Sequence, residues 1–161
     1  MFATSIEDEL SPLLDRVKAV TRANLQWGVR ETSTVLLAEM RRLAPVGRHF
    51  TPEGAAVAGG NLRGSLAWDV GDLGATLMGA SYGRYVIEGT RPHPIVARRA
   101  RALRFWWERQ GLTFVGPRVR HPGSRANDFR SKAIDAAVEG GVMSRTFEQI
   151  LGATLDGRPL G

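Results

Sequence analysis

Between residues 10 and 40, apolar side chains recur at spacings near three and four: Leu10, Leu13, Leu14, Val17, Val20, Leu25, Val35, Leu36 and Met40. That period matches the turn of an α-helix and predicts one long amphipathic helix from Ser11 to about Leu43, with a single stripe to bury. Ser11 followed by Pro12 is a capping signal, because serine accepts a bond from a free first-turn amide while proline at the first helical position loses no internal hydrogen bond. The preceding Ser5-Ile-Glu-Asp predicts a short turn of its own, ending before the proline, and Gly28 is a place for the helix to bend or split.

The rest of the chain is punctuated far more densely. Residues 44–61 carry two prolines and four glycines with little periodicity, which predicts a long extended loop able to act as a contact arm. Between Leu62 and Thr90, three short segments (Ser-Leu-Ala-Trp-Asp-Val, Ala-Thr-Leu-Met-Gly-Ala and Tyr-Val-Ile-Glu) separated by Gly-Asp-Leu-Gly and Ser-Tyr-Gly-Arg predict an antiparallel meander. Tyr85, Val86 and Ile87 show no alternation, so a helical turn is the alternative there. After Pro92 and Pro94, Leu103 to Trp107 and Leu112 to Val115 can pair as a hairpin across Glu108 to Gly111. From Ala126 a second helix is expected, interrupted near Gly140 and Gly141 and resumed from Ser144 to Leu155, with a frayed tail at 156–161. The expected fold is one α+β domain: a small antiparallel β-sheet covered by a long N-terminal helix and a C-terminal helix, with a long loop arm.

Composition narrows the function. Hydrophobic residues at 43% and charged residues at 24% are near globular averages, so the 161-residue chain is expected to fold as one domain. With no cysteine there is neither a disulfide nor a thiolate metal site, which fits a reducing cytoplasm. No apolar run approaches the 18 to 20 or so residues that span a bilayer, and the N-terminus lacks the basic region of a signal peptide. The formal charge is +6, and only Lys18 and Lys132 among the 22 basic residues are lysine. Ten arginines lie between Arg91 and Arg130 against only Glu108 and Asp128, so a basic face is expected, with DNA or an acidic protein as its partner.

Few residues suggest chemistry. His93 and His121 each precede proline and can flank Glu88, with Arg91 or Arg125 stabilising charge, as in a phosphodiester-cleaving site. The plainer reading of His-Pro is loop geometry, since proline restricts the residue before it to extended backbone. No histidine pair has metal-ligand spacing and no carboxylates cluster, so neither a metal nor a cofactor is expected. The glycines do not form a phosphate loop, because no Gly-Lys-Ser/Thr follows them. In Phe105-Trp106-Trp107 strand alternation sends Trp106 to the face opposite its neighbours, where tryptophan beside arginine has the composition of an interface hot spot.

Taken in order, Ala44-Pro45-Val46, Gly60-Asn61-Leu62-Arg63-Gly64-Ser65, Tyr82 to Thr90, His93-Pro94-Ile95, Ala102-Leu103-Arg104-Phe105, His121-Pro122-Gly123 and Phe129 resemble the minor tail-component, or neck, family of long-tailed bacteriophages. The match runs from about Ala44 to Ala133, with a longer insertion between Pro45 and Gly60 than the compact pattern has. The resemblance implies a non-enzymatic virion protein, made in the host bacterial cytoplasm, that joins head to tail as a connector or tail-completion subunit. It implies a homo-oligomeric ring, sixfold to match a tail or twelvefold to match a portal, in contact with head-closure, tail-terminator or tail-tube subunits and with DNA in the channel. The residues expected at subunit or partner interfaces are Arg48, His49 and Phe50 on the arm; Tyr82, Arg84, Tyr85, Glu88, Gly89, Thr90, Arg91 and His93; Trp106; and His121, Gly123, Arg125 and Phe129. Arg84, Arg91 and Arg125 are expected to meet carboxylates on adjacent subunits, while Gly89 and Gly123 supply turns. The alternatives are a basic DNA-binding module and the histidine-dependent nuclease.

Overall fold

The helical period of the first forty residues is realised as one continuous helix, α1 (Ala3–Leu43), in the computed structural model of the chain. The structure describes residues 3–47 and 49–161, with side chains at 10–47 and 50–161. Pro12 lies inside α1, so Ser11 is not its cap and the separate turn expected before it belongs to the same helix. The cap signal is local, whereas Glu7, Glu9, Leu10, Leu13 and Leu14 favour helix on both sides of the proline. Gly28 does not split the helix either. A Cβ there would lie 2.4 Å from Cδ1 of Ile150, so the glycine lets a second helix approach closely.

The fold class is α+β, with five helices and eight short strands among the described residues. The strands form four separate two-stranded antiparallel ladders. The chain divides into two compact units of about 80 residues each: 1–39, 67–78 and 133–161 make the first, and 40–66 and 79–132 the second.

The first unit joins α1 to the hairpin β3 (Ala67–Val70) with β4 (Ala75–Met78), to residues from Ala133 onward of α4 (Phe129–Glu139), and to α5 (Val142–Leu155). The break between α4 and α5 falls at Gly140 and Gly141, where the sequence places it. Gly141 has φ 68, a left-handed conformation that costs glycine least. The buried positions are small: Asn24, Ser33, Leu36, Ala133, Ala137, Thr146 and Ala153. Asn24 is fully buried. Its amide donates to the Thr154 hydroxyl at 3.0 Å and the Arg158 carbonyl at 3.1 Å, and its oxygen accepts from the Leu160 N–H at 2.7 Å. The residues after α5, where fraying is expected, are thus tied to α1 through one side chain. Arg22 and Gln26 both bond the Asp72 carboxylate in the β3–β4 turn, and these bonds, Gln26 first, hold its pKa below the usual value.

In the second unit the core is Met40, Ala44, Leu62, Leu66 and Phe129. Leu62 sits in a short helix, α2 (Asn61–Ser65), and Tyr85 to Glu88 in another, α3 (Gly83–Glu88). The three-stranded meander expected over 62–90 therefore reduces to β3 and β4, and the helical alternative for Tyr85-Val-Ile holds. Arg63 donates to the carbonyls of Ala44 at 3.0 Å and Arg42 at 3.3 Å, and Arg41 to that of Leu66 at 2.7 Å. Arg63 thus satisfies the Arg42 carbonyl that α1 leaves open and sits at that helix's negative pole, while Arg41 satisfies the carbonyl of Leu66 at the end of α2.

The extended segment 44–61 folds back into a two-residue ladder, β1 (His49–Phe50) with β2 (Ala56–Val57). Its tip lies on the hairpin β6 (Leu103–Trp107) with β7 (Leu112–Gly116): the Thr113 hydroxyl donates to the Pro52 carbonyl, Arg104 pairs with Glu53 at 2.9 Å, and Gly54 lies over the Trp106 indole. No helix among the described residues is long and apolar enough to cross a membrane.

Removal of the Asn24 side chain leaves the Leu160 N–H and the Arg158 carbonyl without their partner. Asn24→Ala is expected to destabilise the first unit by roughly 1–3 kcal/mol in all, since the partners it leaves are part-buried. Urea unfolding measures the loss, and hydrogen exchange at Leu160 should accelerate with it.

Candidate functional site

Two segments 30-odd residues apart in sequence are pressed together by two glycines. Thr90 and Ser124 form an isolated antiparallel bridge, each N–H donating to the other's carbonyl at 3.0 Å, with their hydroxyls 3.1 Å apart. On one side Gly89, φ 74, leaves space in which a Cβ would stand 2.6 Å from the Ser124 oxygen. On the other Gly123, φ 86, does the same 2.3 Å from the Thr90 oxygen. Both positions need the left-handed backbone and the missing side chain, so these glycines do more than permit turns.

The bridge starts a ladder between β5 (His93–Val96) and β8 (Arg118–His121), with His93 directly opposite His121. Their ring centroids are 5.1 Å apart with planes tilted by 34°, within the contact range of aromatic pairs, about 4.5–7 Å. The backbone fixes each tautomer. His93 Nδ1 donates to the Arg91 carbonyl at 2.8 Å, which leaves Nε2 as a free lone pair. His121 Nδ1 accepts from the Gly123 N–H at 3.0 Å, so in the neutral ring Nε2 carries the proton.

These rings form part of the wall of a cleft of about 990 Å³. Tyr82, Tyr85 and Glu88 come from α3 and its approach, Gly89, Thr90 and Arg91 from the bridge, and Ser124 and Arg125 from the opposite segment. Among the described residues Glu88 is the only carboxylate in the lining, beside Arg91 and Arg125. Asn127 closes the base by donating its N–H to the Val86 carbonyl at 2.9 Å, which caps the end of α3. Asp128 then caps α4, accepting from the N–H groups of Arg130 and Ser131 at 3.2 Å each. Burial is the largest influence on the Asp128 carboxyl and pushes its pKa up, but the Ser131 amide and hydroxyl together with Arg130 outweigh it and hold it low.

Ten of the sixteen residues expected at interfaces are gathered around this cleft: Tyr82, Tyr85, Glu88, Gly89, Thr90, Arg91, His93, His121 and Arg125 in its lining, and Gly123 in the bridge. Arg84 lies beside it with its guanidinium 4.6 Å above the Tyr85 ring and bonded to the Tyr85 hydroxyl at 2.5 Å. Phe129, expected at an interface, is 1% exposed and belongs to the core. Trp106 does face away from Phe105 and Trp107, which pack with Phe114, but the Gly54 turn of its own chain covers the indole. Phe50 is half-buried in β1. The backbone of His49 pairs with Val57, its side chain is outside the described atoms, and Arg48 lies outside the described residues.

The sequence reading missed Ser124, Asn127 and Ile95. Ser124 and Asn127 have no distinctive neighbour pattern, and Ile95 stood only within His93-Pro94-Ile95; Ser124 enters through its bridge to Thr90, Asn127 through its bond to the Val86 carbonyl, and Ile95 through the β5–β8 ladder. No group of three or more histidine and acidic side chains able to hold a metal is found among the described residues. No protein-family model, curated protein or solved structure matches the chain.

Gly123→Ala should disrupt the site by driving a Cβ into a backbone oxygen at a backbone conformation alanine disfavours, at a cost of roughly 2–5 kcal/mol. Gly111→Ala, at φ 62 but with open space around it, should cost only about 1 kcal/mol. Chemical denaturation of the two variants separates the close approach from backbone strain alone.

Proposed function

We propose that this chain is a non-enzymatic structural subunit of a bacteriophage neck, a head–tail connector or tail-completion protein that works as a homo-oligomeric ring. The observation that carries this reading is the balance of its apolar surface. Among the described residues twenty-three large hydrophobic side chains are at least 36% exposed, while nine hydrophobic residues are buried, four of them alanine. The exposed set is grouped rather than scattered: Leu10, Leu13, Leu14 and Val17 follow one another along α1, and Phe147, Leu151 and Leu155 repeat every four residues on α5. Contiguous apolar surface of this kind marks a place where another protein sits.

The resemblance to the neck family is supported by the way its scattered pieces fold. Tyr82 to Thr90, His93-Pro94-Ile95 and His121-Pro122-Gly123 form one cluster whose spacing is enforced by backbone contacts. A pattern with that physical basis describes a scaffold, and a ring subunit needs a rigid scaffold with two different faces.

The cleft favours a second reading, because it brings His93, His121, Glu88, Arg91 and Arg125 together as a phosphodiester-cleaving site requires. A lone pair on His93 Nε2 and a proton on His121 Nε2 are a base and an acid. Against it, the two rings pack on each other at 5.1 Å, so they do not face across a gap that would hold a reacting phosphorus.

The ring reading predicts a native mass near six or twelve times 17.6 kDa by light scattering, and this chain at the neck of purified particles. A monomer at all concentrations that is absent from particles overturns it. Cleavage of RNA or of an activated phosphodiester that is lost in both His93→Ala and His121→Ala, with folding intact, would establish the second reading; no turnover in the parent chain removes it.

A further inference from the structure

The formal charge of +6 conceals a segregation between the two units. Residues 40–66 and 79–132 hold sixteen basic and four acidic residues, a formal +12, whereas residues 1–39, 67–78 and 133–161 hold six basic and twelve acidic, a formal −6. Within the acidic unit, α4 presents two adjacent stripes at a spacing of four: Asp135 and Glu139, both exposed, and Ile134 and Val138, at 43% and 57% exposure. Neither carboxylate is in an ion pair among the described residues. Within the basic unit the cleft offers the complement. Tyr82, Tyr85 and Ile95 supply apolar surface, and Arg91 and Arg125 are exposed and in no ion pair among the described residues.

We propose that the acidic unit of one copy docks on the basic unit of the next, with the Asp135/Glu139 and Ile134/Val138 face of α4 meeting the cleft flanked by Arg91 and Arg125. This rests on the ring reading above and specifies how copies join. Opposite fields orient the encounter, and arginine pairs with carboxylates in a planar, bidentate geometry. Contact of either unit with its own copy sets like charges against each other, so complementarity selects contact between unlike units, which a head-to-tail ring makes at every interface. The other partner for a +12 surface is DNA, whose phosphates would occupy the same arginines.

Two charge-reversed chains test the pairing. Asp135→Arg/Glu139→Arg makes the α4 face basic, and Arg91→Glu/Arg125→Glu makes the cleft acidic; circular dichroism confirms that each folds. Each variant alone should associate at least tenfold more weakly than the parent, and an equimolar mixture should recover rings, because alternating copies then match at every interface. Parent rings should also loosen as sodium chloride rises from 50 mM to 500 mM, conditions that shorten electrostatic range from about 14 Å to about 4 Å. If both variants assemble alone like the parent, the pairing is overturned and the ring reading stands. If the parent never assembles at any salt, the ring reading falls with it. Variants that fail both alone and in mixture also overturn this pairing. So does loss of short-duplex DNA binding in Arg91→Glu/Arg125→Glu with assembly intact, which assigns the arginines to phosphate.

Discussion

The close approach of Gly89 and Gly123 is the constraint on which the second unit depends. Two backbones pass so near each other that neither position has space for a methyl group, and the Thr90–Ser124 bridge locks that approach with two main-chain hydrogen bonds. From it follow the register that sets His93 opposite His121, the end of α3 at Glu88, and the path that delivers Asn127 to cap α3 and Asp128 to cap α4. The cleft is what remains between these pieces. Its tyrosines and arginines are presented by a frame whose geometry is fixed by main chain, so their side chains are free to vary in whom they meet.

The sequence made the local features legible and hid the distant ones. The period of α1, the glycine break between α4 and α5, and the β6–β7 hairpin all depend on residues within a turn or two of each other, and each is found close to its expected place. Pro12 misled because a single cap signal was set against helix formers on both flanks. Tyr85 to Glu88 read as the third strand from composition, with a helical turn as the alternative, and tertiary context made the segment helical, which is the usual fate of weak propensities in short segments. The β5–β8 ladder had no local signature at all. His93 and His121 could be named as a pair only by chemistry, and the pairing that brings them together spans 28 positions. Phe129 carried a surface assignment from its place in a pattern, whereas its burial comes from opening α4 inside the core.

Each unit has about 80 residues and a core of small or few side chains, a size at which a single hydrophobic core supplies only a modest margin of stability. The second unit compensates with hydrogen bonds, from Arg41 and Arg63 to carbonyls and from the bridge to itself. The first compensates through Asn24, which satisfies three partners from a fully buried position. In such a design the apolar residues left outside, Phe147 and Leu155 among them, are not surplus core. On the proposed ring reading, association that buries them adds stability by mass action, which links folding to assembly.

In the proposed association, charge orients the copies. A surface with only apolar patches can pair with itself around a two-fold axis, which stops growth at a dimer. Segregating +12 from −6 within one chain penalises contact of either unit with its own copy and favours contact between unlike units, which a reciprocal two-fold pair and a head-to-tail series both provide. Head-to-tail contact satisfies both units at once and leaves one free basic and one free acidic face at the ends of any open chain. In the proposed ring such ends attract each other, so wherever the rotation between copies permits, closure removes the last unpaired charge that an open filament would keep.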